Sequence, residues 1–401
     1  MKRMSMMGIG LLACVGMALA AEETTSAETL AAGNRTFAVK LYRELSGTNG
    51  NLFFSPYSIS SALGMTYVGA RENTAAEMAR ALEFAATPEQ LPAAFKNLNA
   101  DVQANARKGG QKLNIANGLC LTGGDVSKDF KALLQGSFDA ELFAGGLDKI
   151  NGWVKEKTEG KIEKILEKLS PNSVCVLLNA IYFKGNWASP FKREATQDAP
   201  FRMGPVTEAK VPLMYQKGHY KLLEKDSFQA VVMPYSGNTL SMVVLLPKAV
   251  DGLAALEKTL TVETLAQWLG EADKQAEREV QVFMPRFKLA TGYDLVPPCR
   301  ALGIQDAFAS GKADFCGMGW DKGELWIAQI KHKAFVEVNE EGTEAAGATA
   351  VEMKTKNGRS YPVFRADHPF LFVIRDHATG SIVFMGRLTD PSVAGGKNFQ
   401  Q

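Results

Sequence analysis

Apolar residues recur at intervals of three and four through residues 29–45, 58–68, 73–82, 88–106 and 126–142, a spacing that predicts a mainly helical first half. Between them, Asn51-Leu-Phe-Phe-Ser-Pro-Tyr-Ser58 reads as a short buried strand running into a helix, with serines placed to cap it and Pro56 in its first turn. Residues 149–169 predict a strongly charged helix with Trp153 on its inner face. The pattern changes at Ser173. Residues 174–183 form an unbroken apolar run, as expected of a central strand covered on both faces. Further strands are predicted at 228–234, 239–246, 279–289 and 325–338, with helices at 253–260 and 262–270 and a closing hairpin of 369–375 and 381–388 around 376–380. No repeat or low-complexity linker divides the chain, which favours one knitted α+β unit.

The 401 residues carry 45 Lys+Arg, 43 Asp+Glu and 46% hydrophobic residues, the balance of a water-soluble globular protein with a large core. The amino terminus reads as an export signal: Lys2-Arg3, an apolar run from Met6 to Ala18, then Ala18-Leu19-Ala20 before acidic residues. That run is shorter than the roughly 20 residues a spanning helix needs. Cleavage there gives a signal peptide at 1–20 and one domain at 21–401. Losing Lys2 and Arg3 balances the charges, so bulk electrostatics offers nucleic acid no purchase. Leu11-Leu12-Ala13-Cys14 also loosely fits a lipid-attachment box, the one route to a membrane. The remaining cysteines, Cys120, Cys175, Cys299 and Cys316, form no C-x-x-C pair, so no metal or cofactor is expected, and spacing leaves any disulfide among them open. G-x-S-x-G, H-E-x-x-H and phosphate-loop motifs are absent, and none of the four histidines neighbours a nucleophile, which disfavours an enzyme.

One stretch stands out, the connection between the strand ending at Val338 and the one beginning at Pro369. Every second residue from Thr343 (Thr343, Ala345, Gly347, Thr349, Val351, Met353) is small or apolar, whereas Glu344, Ala346, Ala348, Ala350, Glu352 and Lys354 tolerate water. Such alternation suits a strand with one buried face; its glutamates and alanines equally suit a short exposed helix or a flexible linker.

Residues 330–349, Ile-Lys-His-Lys-Ala-Phe-Val-Glu-Val-Asn-Glu-Glu-Gly-Thr-Glu-Ala-Ala-Gly-Ala-Thr, resemble the hinge region of the serpin family of protease inhibitors. Further motifs are similar in serpin order: 51–59, YVGA at 67–70, LNAIYFKGNW at 178–187, YDL at 293–295, HPFLF at 368–372 and FMGR at 384–387. The resemblance covers nearly the whole chain after the signal and suggests an exported, bacterial-type member. It implies an α+β serpin fold of three β-sheets (A, B and C), eight to nine helices, and an exposed reactive loop at about 340–362. A protease attacks the loop, and after acylation the loop inserts into sheet A and traps the enzyme. On this resemblance the hinge is Glu340, Glu341, Gly342, Thr343, Glu344, Ala345, Ala346, Gly347 and Ala348. The scissile bond is Lys356-Asn357, with Arg359-Ser360 as the alternative. Ser55, Ser58, Asn179 and His332 match the shutter beneath the central strands, and Trp187 matches the breach at the loop's entry point. A basic scissile residue implies a trypsin-like serine protease as partner, or a papain-like cysteine protease, acting on a monomeric inhibitor without catalysis or cofactor of its own. A non-inhibitory carrier or chaperone is the alternative within the family, and an exported hydrolase or small-ligand binder the alternative outside it.

Overall fold

The computed structural model describes residues 9–169, 175–342 and 361–393, with the side chains of the first helix described from Ala27 onward. In chain order the elements are α1 (Ile9–Leu45), β1 (Leu52–Phe54), α2 (Pro56–Tyr67), α3 (Glu72–Leu82), α4 (Leu91–Lys108), β2 (Lys112–Leu121), α5 (Lys128–Phe138), β3 (Ala140–Ala144), α6 (Leu147–Lys157) and β4 (Cys175–Lys184). There follow β5 (Gln197–Arg202), β6 (Glu208–Glu224), β7 (Phe228–Pro234), β8 (Leu240–Pro247), α7 (Leu253–Thr259), α8 (Val262–Asp273), β9 (Glu277–Pro285), β10 (Phe287–Asp294), α9 (Val296–Ala301), β11 (Ile327–Val338), β12 (Val363–Arg365), β13 (Phe370–Asp376) and β14 (Ile382–Leu388).

The strands build a five-stranded sheet in the order β10-β11-β4-β2-β3 and a nine-stranded sheet, β1-β14-β13-β8-β7-β6-β9-β12 with β5 on β6. Three sheets were expected; hydrogen bonding joins two of them through β6. Its 17 residues pair with β5 and β9 over most of their length but with β7 only from Lys221 to Glu224, so one long strand serves both halves. Among the described residues there are nine α-helices, the upper end of the expected number.

The five-stranded sheet separates two apolar clusters. Strand β4 feeds both: Cys175, Leu177, Ile181 and Phe183 enter the main core with α2, while Val176, Leu178, Ala180 and Tyr182 pack under α6 and the segment after it. This double burial explains the unbroken apolar run. Helix α2 is buried at every one of its 12 positions, capped by Ser55, whose hydroxyl accepts from the Ser58 amide, with Pro56 at the start where no intrahelical donor is lost.

Several predicted boundaries fail for local reasons. Helix α5 stops at Phe138 because Asp139 adopts a left-handed conformation (φ 49°), and Ala140–Ala144 then pairs with β2 as a strand. Helix α6 ends at Lys157 rather than 169: Glu159 and Gly160 both have positive φ, and the Asn151 side chain grips the backbone of Ile165 and Leu166. Ile162, Ile165 and Leu166 still reach the core from this non-helical segment, which mimicked a helical stripe. The predicted strand at 279–289 is two strands in different sheets, parted at Arg286. Strands β2, β5 and β6 were not predicted. Asn114 and Asn117 interrupt the apolar pattern of β2, β5 is mostly exposed, and β6 mixes buried, half-buried and exposed positions without a clean alternation.

Candidate functional site

In the five-stranded sheet β11 lies beside β4, parallel to it, from Ile327 against Cys175 to Phe335 against Tyr182. Its other neighbours are antiparallel across β10–β11 and β2–β4. A parallel ladder is slightly weaker per residue than an antiparallel one. The seam between β4 and β11 is therefore the weakest line through the centre of the sheet.

A row of polar side chains crosses that seam. Strand register places Tyr293, His332, Asn179 and Asn117 side by side on β10, β11, β4 and β2. The Ser55 amide donates to His332 Nε2 (3.2 Å), so Nδ1 carries the proton and donates to Asn179 Oδ1 (2.5 Å). The Asn179 amide donates in turn to Ser58 Oγ (2.6 Å) and Asn117 Oδ1 (2.7 Å), and the Asn117 amide to Ser61 Oγ (3.2 Å). His332 and Asn179 are fully buried. Burial holds the imidazole neutral, its pKa pushed down to about 3. Any strand entering the seam must break the His332–Asn179 bond. Ser55, Ser58, Asn179 and His332 thus lie together in one hydrogen-bonded cluster. Asn117, Ser61 and Tyr293, whose ring stacks on His332 with centroids 6.3 Å apart, complete it. Asn117 went unnoticed because its strand did.

The second cluster lies at the top of the same seam, about 20 Å along β11 from His332. Here the chain turns tightly, with paired amide–carbonyl bonds between Asn339 and Gly342 (3.1 and 3.2 Å). Backbone bonds from Trp187 N to Glu341 O (2.9 Å) and from Phe191 N to Glu340 O (2.7 Å) tie the turn to the segment after β4. Trp187 is buried, stacks on Tyr235 (4.6 Å, 11°) and donates its indole N–H to Asn339 O (3.0 Å). Gly342 has φ 118°, and a Cβ there would stand 2.2 Å from Gly185 O. Only glycine fits. Glu340 is buried and accepts from Arg286 Nε at both carboxylate oxygens (2.7 Å each) and from Thr196. Burial opposes its ionisation, but the Arg286 and Thr196 hydrogen bonds outweigh that and keep its pKa below the ordinary carboxylate value. Glu341 pairs with the mostly exposed Arg193 (2.9 Å). Of the residues named from the sequence, Glu340, Glu341, Gly342 and Trp187 meet here; Arg286, Thr196, Arg193 and Tyr235 were not named, because they come from connections and strand ends distant in sequence and carry no local signal.

Thr343, Glu344, Ala345, Ala346, Gly347, Ala348, Lys356, Asn357, Arg359 and Ser360 lie outside the described residues. Cys120, Cys175, Cys299 and Cys316 are free thiols. Cys120 and Cys175 sit on adjacent strands one register step apart and so face opposite sides of the sheet. No group of metal-ligating side chains occurs among the described residues.

A sheet with a parallel central seam, a buried polar cluster across it and a glycine turn at its top is the architecture of a serpin-type protein. The chain belongs to that family: the model for serpin (serine protease inhibitor) matches residues 32–391. It is 42% identical over 386 residues to the leukocyte elastase inhibitor of Equus caballus, covering 91% of this chain and 100% of that protein. It is likewise 42% identical over 384 residues to serpin B8 of Homo sapiens, with the same coverage. Among solved structures, the native state of the thermophilic serpin Tengpin superposes with a TM-score of 0.80 at 29% identity, covering 89% of this chain and 93% of that one. Human thyroxine-binding globulin in complex with thyroxine gives 0.81 at 29%, covering 91% and 99%.

Two predictions follow from this geometry. Because His332 is neutral in the fold and titrates near 6.5 when unfolded, its contribution to stability is complete above that pH and is lost as pH falls towards 3. Urea unfolding at pH 7.5 and 5.0 should show the stability gap between the parent and His332→Gln narrowing by about 2 kcal/mol at the lower pH; a constant gap would show that folding leaves the imidazole pKa unshifted, and a widening gap that the imidazole is charged in the fold. Glu340→Ala should lower unfolding stability by about 1–3 kcal/mol, since it leaves Arg286 without its carboxylate in a partly solvated setting. An unchanged urea midpoint would mean that the backbone bonds and Trp187 hold the turn alone.

Proposed function

We propose that the protein inhibits trypsin-like serine proteases as a suicide substrate, the segment after Gly342 entering the β4–β11 seam once the protease has acylated it. The observation that carries this reading is the position of Gly342. The chain leaves the top of the seam there, bridged to Asn186 just beyond the end of β4. A strand folding back from Gly342 would run antiparallel to both β4 and β11, exchanging one parallel ladder for two antiparallel ones. From Thr343 to Lys356 such a strand would be about 46 Å long, comparable with the roughly 40 Å of β11. The cost is opening the seam and its His332–Asn179 bond, so the uninserted form persists behind a kinetic barrier. Small side chains at Thr343, Ala345 and Gly347 let the first residues enter before the acyl-enzyme hydrolyses.

Target choice rests on the scissile side chain, and Lys356 suits a specificity pocket floored by a carboxylate. Papain-like proteases are a second class of target, and a carrier role of the kind named in thyroxine-binding globulin is the non-inhibitory alternative. Bulky or charged residues at 343, 345 and 347 would favour that alternative; here they are Thr, Ala and Gly. Export after cleavage near Ala20 is part of the proposal, with the amino-terminal sequence of the secreted protein as its check.

Incubation with trypsin should give a complex that survives denaturing gels, with a released fragment beginning at Asn357 by mass. A fragment beginning at Ser360 moves the bond to Arg359, and cleaved protein beside fully active enzyme across a panel of trypsin-like proteases removes the inhibitor reading. Thr343→Arg should turn the inhibitor into a substrate, because burying an unpaired guanidinium costs several kcal/mol and about 2.8 kcal/mol on the insertion barrier already slows insertion a hundredfold. Glu344→Arg, on the outward set, should keep most of the inhibition. Equal trapping by Thr343→Arg and the parent would overturn the inward assignment.

A further inference from the structure

Sheet register lines up Tyr215 with Phe283 and Arg365, and Lys217 with Gln281 and Val363, on the neighbouring strands β6, β9 and β12. The alternate residues Met214, Val282, Met284 and Phe364 point the other way into the main core, so these rows face outward. An outward face needs no aromatic residues for stability. Tyr215 and Phe283 nevertheless pack on it with centroids 4.7 Å apart, and Val363 is one of three large apolar side chains left exposed among the described residues. Two cations are held over the same face. The Arg365 guanidinium lies 4.6 Å from the Phe283 centroid and is paired with Asp367 (3.0 Å), while Lys217 Nζ lies 4.1 Å from the Tyr361 centroid and is paired with Glu279 (3.0 Å). Long cationic side chains ordinarily lose rotamer freedom when they dock on a partner, and here that loss is already taken on folding. Half-exposed aromatic rings, a positioned arginine and an exposed aliphatic side chain are the composition of a binding surface rather than of a solvated strand face.

Position selects the occupant. The described chain resumes at Tyr361, five residues after Lys356 and two after Arg359. Five residues span at most about 18 Å when fully extended, whereas a protease domain of about 220 residues is roughly 40 Å across. An enzyme seated on either bond therefore has its own surface within reach of Lys217 and Val363.

We propose that the outward face of β6, β9 and β12 is a second contact for the target protease, one that speeds capture without entering the insertion step. The occupant rests on the inhibitor reading. Trypsin whose serine nucleophile is replaced by alanine binds without acylating, so its affinity for the full chain reports docking alone. Val363→Glu and Lys217→Ala should each weaken that binding about fivefold. Active trypsin should be captured more slowly by the same factor, with the ratio of trapped to cleaved inhibitor unchanged because insertion follows acylation. Parental affinity and capture rate in both variants, with parental urea midpoints, overturn the contact. An altered ratio at parental affinity also overturns it, since that assigns the two residues to holding β12 in place. Self-association of the parent that Val363→Glu abolishes gives the face to a second copy of this chain and overturns the protease assignment. Cleavage by active trypsin without trapping, while the inactive enzyme still binds the parent more tightly than the variants, counts against the inhibitor reading and leaves the contact standing.

Discussion

The parallel ladder between β4 and β11 is the contact on which the rest of the molecule depends. It is the one parallel junction at the centre of the five-stranded sheet, flanked by antiparallel pairs on both sides. Each cluster described above bears on it. The Asn179–His332 bond crosses its middle, the Asn339–Gly342 turn closes its top, and the segment after α6 covers its outer side. The polar row is costly to bury, and a fully satisfied set of hydrogen bonds makes it tolerable. An unsatisfied member would cost about 1–3 kcal/mol, so parting β4 from β11 would have to overcome the bonds of the row as well as those of the ladder.

The two faces of the sheet are held differently. On the inner face, α2 is buried throughout, and its N-cap Ser55 together with Ser58 and Ser61 partners the row, so the row is anchored to the main core. On the outer face, only the smaller cluster around Ile162, Ile165 and Leu166 holds the covering segment down, helped by the Asn151 bonds and by Lys161 over two rings. That outer cover is the more easily displaced side, because fewer apolar side chains pack beneath it.

Much of this was legible in the chain. The 174–183 run announced a strand covered on both faces, and its lone asparagine announced a buried polar contact. Ser55-Pro56 lies at the start of α2, two residues ahead of the periodic stretch at 58–68, and Glu340, Glu341, Gly342 and Trp187, named from the family resemblance, lie side by side. Failures came where a signal was shared by two conformations. The stripe at 162, 165 and 166 has helical spacing but belongs to an irregular segment gripped by Asn151, and β2 was hidden because Asn114 and the inward Asn117 read as polar interruptions.

What the sequence determined by itself was therefore local: periodicity, caps, and positions where only a small side chain or a glycine fits, since these depend on neighbours a few residues away. Tertiary structure decided the partners. Asn117 against Asn179, and Arg286 and Thr196 on Glu340, join residues from 54 to 144 positions apart. Such pairings follow from strand register, and register is set by the packing of whole sheets against one core, which no short stretch of chain encodes.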